Sequence, residues 1–83
     1  MSLDAVPMIR ALRENADRLR EQELNKARAM LANGADPEAV IEVLARTLTN
    51  KHTHTPTAAL KQAGHDADKA VLEAARRLFD LQD

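Results

Sequence analysis

The chain has 83 residues, a formal net charge of -1 with 12 basic and 13 acidic side chains, and no cysteine. A chain of this length makes one domain at most, and so small a domain is only marginally stable alone. Without cysteine it forms neither disulfides nor thiolate zinc sites, so we expect oligomerisation to supply the missing stability. Two glycines and a single aromatic residue, Phe79, are present. This composition favours an all-α protein over a β-sandwich or barrel.

The first six residues precede any helical pattern. The opening Met1-Ser2-Leu3 lacks the basic and apolar regions of a signal peptide. No apolar run reaches the roughly 18 residues of a membrane span. We therefore expect residues 1–6 to be a tail, or in part an expression start, and residues 7–83 to form one helical domain of a cytoplasmic protein.

The segment from about Pro7 to Leu31 predicts a long amphipathic helix. Proline suits its first turn, and Asn33-Gly34 suits the left-handed residue that follows a helix. The residues that share its apolar face are Met8, Ile9, Leu12, Ala16, Leu19, Ala27 and Met30. A helix of about seven turns cannot bury this whole face within such a small domain, so part of it should overhang or lie against a second copy.

One acidic residue, Glu23, falls on that apolar face. A buried carboxylate without a partner is too costly to keep. We therefore expect Glu23 either to turn out to water or to pair with a polar group across a subunit contact.

The second half of the chain predicts three more helices. Asp36 caps a second helix whose first position is Pro37. Because Pro56 disfavours a helical Thr55, this helix should end or kink before Thr55, which then caps a short third helix. Gly64-His65 should break the third helix. The apolar face of the second helix comprises Val40, Ile41, Leu44 and Leu48, which Thr47 and Lys51 extend with polar groups.

The last predicted helix begins at Asp66 as a cap and runs to about Leu81. It carries two neighbouring apolar strips, which suggests two packing partners. The strips are formed by Ala67, Ala70, Val71, Ala74, Leu78 and Leu81, and by Leu72, Ala75 and Phe79. The predicted fold is a small all-α bundle of four helices, packed or intertwined as a homodimer.

Few residues suggest a catalytic or ligand-binding site. His52 and His54 could ligate a metal from an extended segment, with His65 not far along, but capping, packed or solvated histidines are the favoured interpretation. Lys51, His54 and the N–H groups after Thr55 could also hold an anion at the start of the third helix, although an ordinary capped turn is favoured. No nucleophile with a base and no glycine-rich phosphate loop is present.

Several stretches resemble the C-terminal dimerisation domain of glutamyl-tRNA reductases. The segment Pro7-Met8-Ile9-Arg10-Ala11-Leu12-Arg13 is similar to the family's P-x-I-R-x-L-R, and the helix continues through Arg20 to Glu23-Leu24. The segment from Leu48 to Thr57 is similar to L-x-N-K-x-x-H-x-P-T. The residues that it shares with this pattern beyond the leucine are Asn50, Lys51, His54, Pro56 and Thr57. The family commonly has leucines where this chain has His52 and Thr53. The last stretch, Leu78-Phe79-Asp80-Leu81, resembles the usual end of the family's sequences.

The resemblance implies a domain that joins two long subunits in a V-shaped dimer. It also implies that the parent enzyme uses NADPH to reduce the glutamate on glutamyl-tRNA to glutamate-1-semialdehyde, the start of tetrapyrrole (porphyrin) biosynthesis through 5-aminolevulinate. The family's catalytic cysteine and NADPH site lie in other domains. We therefore expect this chain to hold no catalytic residue, no cofactor and no metal, and to be inactive alone.

The residues expected in the core or at the dimer interface are large and apolar. They are Ile9, Leu12, Leu19, Leu44, Leu48, Val71, Leu78 and Phe79. Three other functions are alternatives to dimerisation. A tRNA-contact module is disfavoured by the near-neutral charge and the lack of stacking aromatic residues, and an enzyme in its own right by the missing nucleophiles. An unrelated helical adaptor that binds a different protein is the third.

Overall fold

A computed structural model describes residues 4–82, which form three α-helices: α1 (Val6–Ala32), α2 (Pro37–His65) and α3 (Lys69–Leu78). The all-α class is confirmed, since the described residues contain no strand. Met1-Ser2-Leu3 of the predicted tail lie outside the described residues, and Val6 is already the first residue of α1. The chain divides into two compact units, Met1–His52 and Thr53–Asp83.

The predicted end of α1 is confirmed in its hydrogen bonds. The Gly34 N–H donates to the Leu31 carbonyl at 3.1 Å, and the Ala35 N–H donates to the Met30 carbonyl at 3.0 Å. Gly34 has φ +88°, a left-handed conformation that glycine adopts without steric cost. This pair of bonds is the Schellman motif, which satisfies carbonyls that the last turn of a helix leaves free.

The predicted start of α2 is also confirmed. Asp36 Oδ2 accepts a hydrogen bond of 3.1 Å from the Ala39 N–H, so Asp36 caps one of the free donors of the first turn. Pro37 is the first helical residue, where its missing N–H would have had no partner in any case.

The predicted division into four helices is wrong within residues 4–82, because α2 runs through Pro56 to His65. Thr55 therefore caps no helix, and Gly64-His65 form the last turn of α2 rather than a break. Pro56 cannot donate to the carbonyl of His52, and a proline inside a helix costs about 3 kcal/mol. Ending the helix there would instead leave up to four carbonyl and four N–H groups in need of new partners.

The predicted cap of the last helix is wrong by two residues. The cap is Asp68, whose Oδ1 accepts a hydrogen bond of 3.2 Å from the Val71 N–H. Because α2 continues to His65, Asp66 lies in the turn between the helices, where its Oδ2 accepts a 3.0 Å bond from Gln62 Nε2.

The turn after α2 repeats the Schellman geometry without a glycine. The Asp68 N–H donates to the Ala63 carbonyl at 2.8 Å, and the Ala67 N–H donates to the Gly64 carbonyl at 3.3 Å. Ala67 has φ +54°, a conformation that costs a residue with a Cβ roughly 1–2 kcal/mol. Helix α3 then ends at Leu78, three residues before the predicted Leu81.

Each unit has a small core. In the unit that ends at His52, the buried residues are Glu23 and Ala27 of α1 and Val40 of α2. In the unit that begins at Thr53, they are Ala63 of α2 and Ala75 of α3. None of the large side chains among residues 4–82 is fully buried. The cores are therefore made mostly of small residues, and much of the large apolar surface is left uncovered.

Candidate functional site

The eight residues predicted for core or interface fall into two groups. Leu19, Leu44 and Leu48 are half-buried. The other five are exposed: Ile9 by 51%, Leu12 by 69%, Val71 by 41%, Leu78 by 79% and Phe79 by 54%. The sequence could not separate these groups, because the half-buried and the exposed residues are equally apolar.

The apolar face of α1 is covered at one end only. Near its start, Val6 and Met8 are exposed by 56% and 78%, and Ile9 and Leu12 also face solvent. Further along the same face, Ala27 is buried and Met30 is half-buried. Met8, Ile9 and Leu12 are neighbours on the apolar face of α1, and such a cluster is more than the scattered apolar exposure of an ordinary surface.

Helix α3 has a second uncovered apolar face. Val71, Ala75, Leu78 and Phe79 recur at helical spacing, and only Ala75 is buried. Leu81, just after the helix, is exposed by 47%. The first turns of α1, in one unit, and this face of α3, in the other, are the two main apolar faces that the described residues leave open.

An ion pair lies between α1 and α2, in the unit that ends at His52; its carboxylate is buried and its main partner, Lys51, is 38% exposed. The Glu23 side chain is 3% exposed, and its Oε2 lies 2.7 Å from Lys51 Nζ and 3.3 Å from Lys26 Nζ. The prediction that Glu23 turns out to water is therefore wrong. Its partner belongs to the same chain, so no subunit contact is needed to satisfy it.

A signal for this pair was present in the sequence. Glu23 interrupts the apolar face of α1, and Lys51 extends the apolar face of α2. Two opposite charges that interrupt facing apolar stripes, on helices joined by a short turn, are natural partners. The interpretation of Lys51 as part of an anion site is wrong, because its ammonium binds Glu23 and no helix begins near Thr55.

The two charges stabilise each other. The hydrogen bond from Lys51 is the main cause that lowers the pKa of Glu23; burial opposes it, and Lys26 adds to the lowering. The hydrogen bond to Glu23 in turn raises the pKa of Lys51. Both groups therefore remain charged at neutral pH.

A groove of about 230 Å³ lies beside this pair between α1 and α2. Its lining is mostly apolar, with a polar end formed by Glu23, Lys26 and Thr47. The apolar lining residues are Ala27, Met30, Val40, Val43 and Leu44. The groove has room for an apolar side chain but offers few groups that could orient a polar ligand.

The motif from Asn50 to Thr57 lies wholly within α2. Lys51 holds Glu23, and Pro56 is half-buried inside the helix. His54 and Thr57 are exposed, and Asn50 is exposed with a partner of its own.

No cofactor or metal cradle forms among residues 4–82. His52 and His54 lie two apart on a helix, so they point in different directions and not into one site. No group of three or more histidine, cysteine or acidic side chains comes together in this part of the chain. Gly34 and Gly64 lie at helix ends and follow no strand, so the residues present do not fit a nicotinamide dinucleotide. No helix within the described range is long and apolar enough to cross a membrane.

An all-α chain with small cores and uncovered apolar helix faces belongs to the class of helical association domains. The chain matches the family described as "Glutamyl-tRNAGlu reductase, dimerisation domain" over residues 1–81, and it belongs to that family. No solved structure matches it significantly.

The similar curated proteins are named glutamyl-tRNA reductase. One from Saccharophagus degradans is 54% identical over 96% of this chain and 19% of its own length. Others from Nitrosococcus oceani and Pseudomonas aeruginosa are 49% and 46% identical over 94% and 98% of this chain, and each is matched over 19% of its own length. The chain thus spans about a fifth of these relatives.

Proposed function

We propose that this chain joins two subunits of a glutamyl-tRNA reductase by burying its uncovered apolar side chains against a second copy. The observation that carries the proposal is the exposure of Ile9, Leu12, Val71, Leu78 and Phe79 in a member of a dimerisation family. In this interpretation they form the interface, and the half-buried Leu19, Leu44 and Leu48 line the cores. The dimerising domain comprises residues 7–83, and residues 1–6 are a tail or in part an expression start, except that Val6 already belongs to α1.

Both units expose apolar side chains that could serve this role. Among residues 4–82, ten large apolar side chains are at least 41% exposed: Val6, Met8, Ile9, Leu12, Leu31, Ile41, Val71, Leu78, Phe79 and Leu81. An interface of standard size takes about 800 Å² from each partner, and large apolar side chains with this much exposure can supply part of that area. In a dimer with a two-fold axis, each apolar face that is buried on one copy is buried on the other as well.

The proposal extends to the whole protein. The relatives' name supports a parent enzyme that reduces glutamyl-tRNA, and the resemblance supports NADPH as its reductant and tetrapyrrole biosynthesis as its pathway. NADPH and glutamyl-tRNA then bind in other domains of the parent, which works in the cytoplasm. This chain supplies the contact between the two subunits and takes no part in the reduction of glutamyl-tRNA.

The test is the solution mass of the chain, measured by light scattering behind a sizing column over a tenfold range of concentration. We expect a mass near twice the 9.2 kDa of one chain. A helical, cooperatively melting monomer at every concentration would contradict the proposal, because the uncovered faces would then need no second copy.

A further inference from the structure

We propose that the Glu23–Lys51 pair fixes the register of α1 on α2 and thereby selects one dimer among alternatives. The inference rests on the proposed function, since it concerns the same self-association. Glu23 is the single charged residue among the buried residues of 4–82, and it bonds a lysine 28 positions away in the sequence.

The neighbours of Glu23 along α1 explain why a register device is needed. The contact between α1 and α2 is built from similar aliphatic side chains, so apolar packing alone distinguishes poorly between adjacent registers. One turn before Glu23 on the same face lies Leu19, and one turn after it lies Ala27. A slip of one turn in either direction would therefore set an apolar residue opposite Lys51.

The energetic consequence is specificity rather than stability. A buried ion pair adds little net stability, because desolvation offsets much of the attraction between the charges. Separating such a pair is costly, because it leaves a buried charge without its partner. A slipped register would separate Glu23 from Lys51 and leave the buried carboxylate with Lys26 of its own helix alone. A single polar residue in an apolar coiled-coil seam penalises misaligned helices in the same way.

The register matters for the dimer because the uncovered residues lie on the same helix as Glu23. Ile9 and Leu12 belong to the first turns of α1, and a slip of one turn would move them by about 5.4 Å along the helix axis. Interface side chains displaced by this distance would no longer meet the same partner surface. The Glu23–Lys51 pair would thus position Ile9 and Leu12 for the dimer contact without taking part in that contact.

The experiment compares the wild-type chain with the double variant E23L/K51L. The control E21L/K61L makes the same change of composition at two exposed positions. Each protein is examined by circular dichroism, by light scattering behind a sizing column, and by ¹H–¹⁵N correlation spectra. For E23L/K51L we expect unchanged helix content, more than one species by mass, and more than one set of amide peaks for α1. The control should give one mass and one set of peaks.

A single species with one set of peaks for E23L/K51L would overturn the proposal. If that variant does not fold, the exchanged pair E23K/K51E decides: one mass and one peak set support a register role, and several peak sets overturn it. A monomeric wild type would remove the dimerisation function alone, because peak doubling in the variant would still report the register of α1 on α2.

Discussion

Lys51 Nζ lies 2.7 Å from Glu23 Oε2, and this contact joins the middle of α1 to the middle of α2. Each residue belongs to a stretch that resembles a family motif, one around Glu23-Leu24 and the other around Asn50-Lys51. The structure gives these two motifs a common physical role, since each supplies one charge of the same pair.

The pair should make stability depend on pH at both extremes. Because the folded state lowers the pKa of Glu23, its contribution is present above the ordinary value of 4.5 and is lost as the pH falls through the lowered pKa. Because folding raises the pKa of Lys51, its contribution is present below 10.5 and is lost as the pH rises through the raised pKa.

The measurement is the midpoint of urea unfolding from pH 3 to pH 7 for wild type and Glu23→Gln. We expect wild type to be the more stable at pH 7 and the difference to shrink towards pH 3. The other acidic groups are common to both proteins, so the difference isolates Glu23. A difference that stays constant with pH would show that the Glu23 charge contributes nothing.

Replacing Ala67 by glycine should stabilise the chain by about 0.5–1 kcal/mol, because glycine adopts the positive φ of this turn without the strain of a Cβ. The control is Ala74→Gly in the exposed middle of α3, which should cost about 1 kcal/mol. Both changes are measured by urea unfolding. Two equally destabilised variants would mean that Ala67 is not strained.

The cap of α3 can be identified by two alanine variants. Asp68→Ala should cost about 1 kcal/mol, since it removes the oxygen that accepts from the Val71 N–H. Asp66→Ala should change the free energy of unfolding by no more than about 0.5 kcal/mol, because its bond with Gln62 is exposed. Thermal melts of both variants check this, and the reverse order would restore Asp66 as the cap.

Leu78→Gln should weaken the dimer by at least about a hundredfold, because burying each leucine contributes roughly 1.5–3 kcal/mol and two copies change together. Helix content should stay unchanged, since Leu78 is 79% exposed in the single chain. Arg77→Gln is the control on the opposite side of α3. Sedimentation equilibrium gives both dissociation constants, and equal values for the two variants would exclude the face of α3 from the interface.

The sequence predicted those features that depend on local chemistry. The cap at Asp36, the left-handed turn at Gly34 and the long amphipathic α1 each follow from a few neighbouring residues, and the structure confirms them. Prediction from the sequence failed where the local preference of one residue competes with the continuity of a helix. The preference of Pro56 predicted a break, but a continuous α2 sacrifices one hydrogen bond and avoids two new helix ends.

The sequence also could not assign the partners of Glu23 and Lys51. Each charge was visible as an interruption of an apolar face, but their meeting depends on how α1 folds back on α2 through the turn at Gly34. The sequence also could not tell which apolar residues are half-buried and which are exposed. A helical wheel shows which residues share a face, but it does not show what covers that face.

The exposed apolar faces carry a consequence for the life of the protein in the cell. When a folded chain is stabilised by its own second copy, its stability rises with its concentration by mass action. A subunit made faster than it finds a partner presents Leu12, Leu78 and Phe79 to the chaperones and proteases that survey apolar surface. In such a protein, pairing would set the lifetime of each subunit, and its abundance would be regulated by assembly as well as by synthesis.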